Sequence, residues 1–321
     1  MTNLTAPQFT NEDKAREYLE ALRWPEGPFC PHCGSVNAKR LPAQRGRPTK
    51  AHPEGAIRNG VVQCNDCRKQ YSVTVGTVFE SSKIPLNKWL LANHLLCASK
   101  KGMSAHQLHR MLGITYKSAW FMFHRIREAM RPADATPMGG DGGIVEVDET
   151  FIGRKKGVEV KSGFRHKMAV LSLVDRDSGA ARSVVVNDLR PDTLLPIIKA
   201  NVVAESHLMT DEAKHYTKLR NHFASHGTTN HSQGVYTGWK IGRPLIHSNT
   251  IEGYFSIFKR GMRGIYQHCG EQHLHRYLAE FDFRYTNRSS NGIEDDPRAD
   301  LALKGIAGKR VTYRRTDDLH A

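Results

Sequence analysis

The chain has 321 residues, and its 47 Lys and Arg against 32 Asp and Glu give a formal net charge of +15. That length accommodates two or three domains, and so basic a balance expects a polyanionic partner, of which nucleic acid is the commonest. No run of about 18 apolar residues is long enough to span a bilayer, and Met1 to Thr10 has no basic start followed by an apolar stretch, so neither membrane insertion nor secretion is expected.

In chain order, Thr10 is placed to cap a helix, with Asp13 three residues on, and Ala15, Tyr18, Leu19 and Leu22 follow helical spacing up to Trp24-Pro25. Two CxxC pairs follow, Cys30/Cys33 and Cys64/Cys67. Without an export signal these read as metal ligands, four thiolates around a structural Zn²⁺, rather than as disulfides. No βαβ pattern surrounds either pair, which argues against redox chemistry. The stretch between them is rich in Arg, Lys, Pro and Gly and predicts a projecting basic loop; 70–75 predicts a closing strand. Cys97 and Cys269 read as packed thiols.

From 85 to 131 the pattern is helical. Trp89, Leu90, Leu95 and Leu96 mark one helix closing near Gly102. Ser104 starts a second, Gly113 provides a turn, and Thr115 caps a third carrying Ala119, Trp120, Phe123 and Ile126. This is a helix-turn-helix plan. Tyr116, Lys117, Ser118, His124, Arg125 and Arg127 are expected on or near the exposed side of the third helix, facing phosphates and base edges of double-stranded DNA.

Residues 132–143 read as a Gly- and Pro-rich linker. Three strands then follow, 144–152, 167–175 and 181–188, the last two joined by a Ser178-Gly179 turn. A helix (192–203), a strand (207–210), a helix (213–223) and a short strand (228–232) come next, then helices 249–262 and 273–287. That order predicts an α/β fold with an RNase H-like core. The expected organisation is an N-terminal helix and zinc ribbon (1–82), a helix-turn-helix domain (83–131), the linker (132–143), the core (144–288) and a basic C-terminal tail, partly disordered (289–321).

Asp148 lies in a strand-like run, Asp211 directly follows another, and Glu252 opens a helix. Carboxylates so placed can converge on two divalent cations that clamp the attacking and leaving oxygens of a phosphodiester. Glu149 is left outside this site, since strand neighbours point to opposite faces. Glu212 is an auxiliary candidate; His231 and His247 are candidate DNA contacts or neighbours of the site.

The ordered pieces carry a resemblance. They are Cys30-Pro31-His32-Cys33-Gly34-Ser35, Ser72 to Phe79, Gly113 to Lys117, Val147-Asp148-Glu149-Thr150, Thr210-Asp211-Glu212, Asn230-His231-Ser232, Asn249-Thr250-Ile251-Glu252-Gly253, Lys259-Arg260-Gly261 and His273 to Leu278, with Gly308 to Tyr313 similar to a recurrent tail. Together they resemble the DDE-type bacterial insertion-sequence transposases with an N-terminal zinc ribbon, the fifteen-ninety-five or ISXO-two-like group. The resemblance implies a metal-binding triad of Asp148, Asp211 and Glu252, separated by 63 (211 − 148) and 41 (252 − 211) residues. It also implies Mg²⁺ or Mn²⁺ as catalytic ions, and Lys259 and Arg260 as DNA contacts. Some members carry asparagine as the third residue, so Asn249 stands as the alternative to Glu252. The implied activity is binding of terminal inverted repeats, strand cleavage and strand transfer, by a dimer or larger assembly on DNA, in the bacterial cytoplasm and at the nucleoid when DNA-bound. The alternatives are a structure-specific nuclease and a non-catalytic DNA-binding regulator.

Overall fold

The computed structural model describes residues 3–50, 53–133, 136–219, 221–229, 237 and 245–311. The chain divides into two units, one of residues 1–98, 105–129 and 295–321, the other of residues 99–104 and 130–294.

The first unit opens with one turn of helix, α1 (Pro7–Thr10), followed by α2 (Glu12–Arg23). Asn11 rather than Thr10 caps α2: its side chain accepts from the Lys14 amide at 3.0 Å. Thr10 closes α1 instead, its hydroxyl donating to the Ala6 and Pro7 carbonyls, both at 3.4 Å. Next come β1 (Ala38–Arg40), β2 (Gln44–Arg45), β3 (Ile57–Arg58), β4 (Val62–Cys64) and β5 (Gln70–Tyr71). β1, β4 and β5 form a three-stranded antiparallel sheet, while β2 and β3 pair separately inside the long stretch between the cysteine pairs. The strand expected over 70–75 stops at Tyr71, because the chain turns there, with the Val75 amide bonded to the Ser72 carbonyl at 3.1 Å.

Three helices follow: α3 (Leu86–Ala98), α4 (Ala105–Leu112) and α5 (Tyr116–Met130). α3 stops short of Gly102, since the Ser99 hydroxyl closes a turn with the Gly102 amide and carbonyl at 2.9 and 2.6 Å. Between α4 and α5, Gly113 takes φ +60° and Thr115 Oγ1 accepts from the Ser118 amide at 3.2 Å, the expected cap.

The second unit takes in the whole of the expected linker, 132–143. Met138 is buried in the core, and its backbone pairs with Asn201 and Val203. The central sheet is built from β6 (Ile144–Ile152), β7 (Met168–Asp175) and β8 (Ala181–Val186), an antiparallel meander. Helix α6 (Pro191–Asn201) crosses over to β9 (His207–Thr210), which runs parallel to β6, and β10 (Ser225–Thr228) runs parallel to β9. The order β10-β9-β6-β7-β8 is the expected RNase H-like one. The helix expected over 213–223 is only a 3₁₀ segment, Lys214–Leu219, because the chain must return to the sheet by Ser225. The short strand accordingly lies at 225–228 rather than 228–232; Asn230, His231 and Ser232 fall outside the described residues.

Helices α7 (Asn249–Gly261) and α8 (Glu271–Thr286) complete this unit. The sheet has an apolar core on each face. Val145, Val147, Leu171 and Leu173 pack with Leu194 and Ile198 of α6, while Ile152, Met168 and Val170 pack with Ile251, Phe258, Leu274 and Leu278. Covered on both faces, β7 is buried at all eight positions, and only Ser172 and the final Asp175 break its apolar run. A Leu→Ala change there costs about 2–5 kcal/mol.

The polar tail expected from residue 289 is corrected. It holds helix α9 (Asp295–Lys304), which belongs to the first unit. Arg298 donates to the Cys97 carbonyl and Asn93 to the Ala299 carbonyl, both at 2.9 Å. Thr312 and Tyr313, the end of the recurrent tail, lie outside the described residues.

Candidate carboxylate site and nucleic-acid face

The parallel register places the acids. Glu146 of β6 is level with Met209 of β9, so two residues further on Asp148 is level with Asp211, just beyond the end of β9. Carboxylate oxygens of Asp148, Glu149 and Asp211 all lie within 4.8 Å of one another. Glu149 therefore joins the cluster, contrary to the alternation argument. The reason is the open edge: β9 ends at Thr210, so past that level no strand among the described residues pairs with β6 on that side. Side chains from both faces of β6 can bend round the free edge toward Asp211.

Burial pushes the Asp148 carboxyl up to about 7, helped by the charges of Glu149, Asp211 and Glu252; the Glu149 amide, donating to Asp148 Oδ1 at 2.7 Å, opposes this. Asp211 is also raised, first by burial and then by Glu149, against the Ala213 amide donating at 3.0 Å. His215 of the 3₁₀ segment pairs with Glu149, and that bond raises its own proton affinity. Three crowded carboxylates, offering oxygen donors only, suit a hard divalent cation.

Glu252 sits outside the three-carboxylate cluster, itself exposed in the first turn of α7, where Ser248 Oγ donates to its Oε1 at 3.1 Å. Its charge is nonetheless felt at Asp148. Asn249 is exposed at the start of the same helix. Glu212 is exposed and outside the cluster, and His231 lies outside the described residues. Lys259 is half-buried, its ammonium 5.6 Å above the Phe255 ring. Burial lowers its pKa and the Asp148 charge opposes the shift; seven residues after Glu252 (259 − 252), Lys259 returns nearly to the same face of α7. Arg260 is exposed and folds back onto Ser256.

His247 is not a free DNA contact. Its Nδ1 lies 3.1 Å from Glu146 Oε1 and 3.0 Å from Arg176 Nη2. Neither Glu146 nor His215 belongs to a site motif in the sequence. Alternation along β6 was enough to flag Glu146, two residues before Asp148 on the same face. For His215 there was no periodic signal.

In the ribbon, the Cys30 and Cys67 sulfurs lie 3.6 Å apart, as do those of Cys33 and Cys64. Four thiolates about 2.3 Å from one tetrahedral zinc stand about 3.8 Å from each other. The cluster therefore fits that ion. The Gly34 amide bonds the Cys30 carbonyl at 2.8 Å with φ +78° at Gly34, the tight turn a knuckle requires.

On α5, Tyr116 and Lys117 are exposed and Ser118 is half-buried. The Tyr116 ring stacks on His106 at 4.1 Å. The expectation that the exposed side continues along the helix is corrected. His124 and Arg127 are 1 % and 2 % exposed. Arg125 lies nine residues after Tyr116 (125 − 116), about 180° round the helix. It donates to the Glu80 carbonyl at 3.1 Å and covers the Phe121 ring at 4.8 Å. The later half of α5 is enclosed on nearly every side, so its charged residues are internal.

Two family models match the chain in the same order. The family model of the ISXO2-like transposase domain matches residues 141–286, and that of the transposase zinc-ribbon domain matches residues 10–70. An uncharacterised protein in transposable element ISH50 of Halobacterium salinarum is 26 % identical over 299 residues, covering 86 % of this chain and 91 % of its own length. Among solved structures, the catalytic core domain of BIV integrase is 15 % identical with a TM-score of 0.27, over 43 % of this chain and 81 % of that one. The Drosophila P element transposase strand transfer complex is 12 % identical with a TM-score of 0.25, over 67 % and 63 %.

Proposed function

We propose that this chain, a member of the ISXO2-like transposase family bearing that family's zinc ribbon, is a DNA transposase that binds the terminal inverted repeats of its element, cleaves them and joins them to target DNA. The observation that carries this reading is the level placement of Asp148, midway along β6, and Asp211, just past the end of β9, with carboxylate oxygens within 4.8 Å.

Asp148, Asp211 and Glu252 would hold two Mg²⁺ or Mn²⁺ ions, with Glu149 beside them. Such ions, when bound, activate a hydroxyl nucleophile and neutralise charge at the phosphodiester. The Glu149–His215 pair holds Glu149 at the edge of the cluster. Lys259, beside the carboxylates, offers a cation to a DNA phosphate. Hydrolysis at the element end leaves a 3′-OH, and that hydroxyl attacks a target phosphodiester in the joining step.

Cys30, Cys33, Cys64 and Cys67 would hold a structural zinc, all four positions being filled by protein. Tyr116, Lys117 and Ser118, at the start of the second helix of a helix-turn-helix, would meet the repeat; Arg125 is left out because its guanidinium is turned to Glu80 and Phe121. No helix among the described residues is long and apolar enough to cross a membrane. A cytoplasmic enzyme acting on nucleoid DNA, dimeric or larger when two element ends are paired, fits this reading.

The test is a cleavage and joining assay on DNA flanking the protein's own gene, with Mg²⁺ or Mn²⁺ and an Asp148→Ala control. Metal-dependent nicking at the element ends with joined product, absent in the control, is expected. Specific end binding without cutting under either metal would replace this reading with a DNA-binding regulator. Nicking with no joined product would replace it with a nuclease.

A further inference from the structure

Glu146 is 0 % exposed, on the strand that carries Asp148 and on the same face two residues earlier. A carboxylate in that position must be held on every side, and its partners belong to different elements. Glu146 Oε2 accepts from the Ile251 amide in the first turn of α7 at 2.8 Å. Oε1 accepts from Arg176 Nε at 2.5 Å and lies 3.1 Å from His247 Nδ1. Arg176, just after β7, donates to the Leu245 and His247 carbonyls at 2.7 and 2.6 Å. Ser248, the N-cap residue of α7, makes no side-chain cap bond. Glu146 thus serves as the cap from outside the helix, its charge at the positive end of the helix dipole.

Resting on the transposase reading above, we propose that Glu146, fixed by Arg176, is a positioning residue: it docks the start of α7 onto β6 and so sets where Glu252 stands relative to Asp148. Ile251 directly precedes Glu252, and Glu146 stands about 7 Å along the strand from Asp148, so one buried carboxylate links the two acids that approach from different elements. It touches neither metal nor DNA. Farther along α7, Tyr254 donates to Asp282 at 2.5 Å, and Asp282 accepts from the Ser183 amide and hydroxyl, both at 2.8 Å. The helix body is therefore secured independently, and loss of Glu146 releases mainly its first turn.

The test is direct Mn²⁺ titration by calorimetry on the full-length wild type and Glu146→Gln, alongside thermal melts and, where cleavage is seen, its dependence on metal concentration. Groups behind metal ligands typically change metal affinity 10–100-fold. Glu146→Gln is expected to fold, to bind repeat DNA within about twofold of wild type, and to bind Mn²⁺ at least about tenfold more weakly. Glu146→Asp, which keeps the charge but retracts it by one methylene, is expected to fall between the two and serves if Glu146→Gln does not fold. Unchanged Mn²⁺ affinity with only a lower melting temperature would overturn the proposal and leave Glu146 a stabilising ion pair. A wild type that binds no Mn²⁺ would overturn both the proposal and the transposase reading, whereas wild-type binding that Glu146→Gln retains sinks the proposal alone.

Discussion

Asp148 of β6 stands level with Asp211, the residue just past the end of the parallel strand β9, and each is raised in proton affinity first by burial. Two acids in that relation repel when no cation lies between them. Asp211→Asn should therefore raise the melting temperature of the metal-free protein by about 2–4 °C, the equivalent of about 1 kcal/mol in a unit of this size. It should also abolish the stabilisation that Mg²⁺ gives the wild type. Melts with and without Mg²⁺ measure both effects, and a variant that melts lower and still responds to Mg²⁺ would contradict them.

The pH dependence follows from Asp148. Its folded-state value is pushed up to about 7, above the ordinary 3.8 of an unfolded chain. Between those values the native state binds more protons than the unfolded state, so this group's contribution to stability falls as pH rises from about 4 to 7 and is flat above. The loss is at most about 4 kcal/mol. Urea unfolding of metal-free wild type and Asp148→Asn at pH 5 and pH 8 should show the wild type losing more stability over that interval. Equal slopes would mean that Asp148 titrates in its ordinary range.

Much of this arrangement was legible in the sequence because the core strands carry strong apolar signals. Ile144–Ile152 and His207–Thr210 have the expected bounds, and once they pair in parallel Asp148 and Asp211 must meet. Glu149 was not legible. Alternation sets the face from which a side chain leaves, but beside an open edge a long side chain can curl back toward the other face, and β9 stops short. α9 was overlooked through its charges, although Ala299, Ala302, Leu303 and Ile306 keep helical spacing and are all buried. Arg127 misled in the opposite sense, since a charged residue on a helix was read as solvated whereas the later half of α5 is enclosed.

The two ends of α5 should respond differently to mutation. Lys117→Ala removes an exposed cation, and should weaken repeat binding about three- to tenfold and lower the salt slope by about 1. Arg125→Ala removes a hydrogen bond to Glu80 and the cover over Phe121. It should cost about 1–2 kcal/mol of stability and leave the salt slope unchanged. Fluorescence anisotropy across a salt series, paired with melts, separates the two, and a reduced slope in Arg125→Ala would return that residue to the DNA face.

Zinc should be structural and confined to the ribbon. Mass spectrometry under native conditions should find one zinc per chain, and none after Cys64→Ser. Cys64 belongs to β4, paired with both β1 and β5. Loss of its metal bond should open residues 38–71 to limited proteolysis while the 144–286 region stays resistant, because metal binding is folding energy for so small a sheet. Cleavage spread evenly over both regions would contradict a local role.

Lys259 and Arg260 are neighbours with different surroundings, and the chemistry should distinguish them. The Lys259 ammonium stands over Phe255, partly withdrawn from water and within reach of the Asp148 charge. A charge-assisted contact to phosphate from such a site is worth about 1.5–3 kcal/mol, so Lys259→Ala should slow single-turnover joining about 10- to 100-fold. Arg260 is exposed and already bonded to Ser256, and a solvated guanidinium gains little from one more exposed partner. Arg260→Ala should stay within about threefold of wild type. Equal losses from the two would mean that α7 presents a general basic stripe to DNA, with no particular role for the side chain that faces the carboxylates.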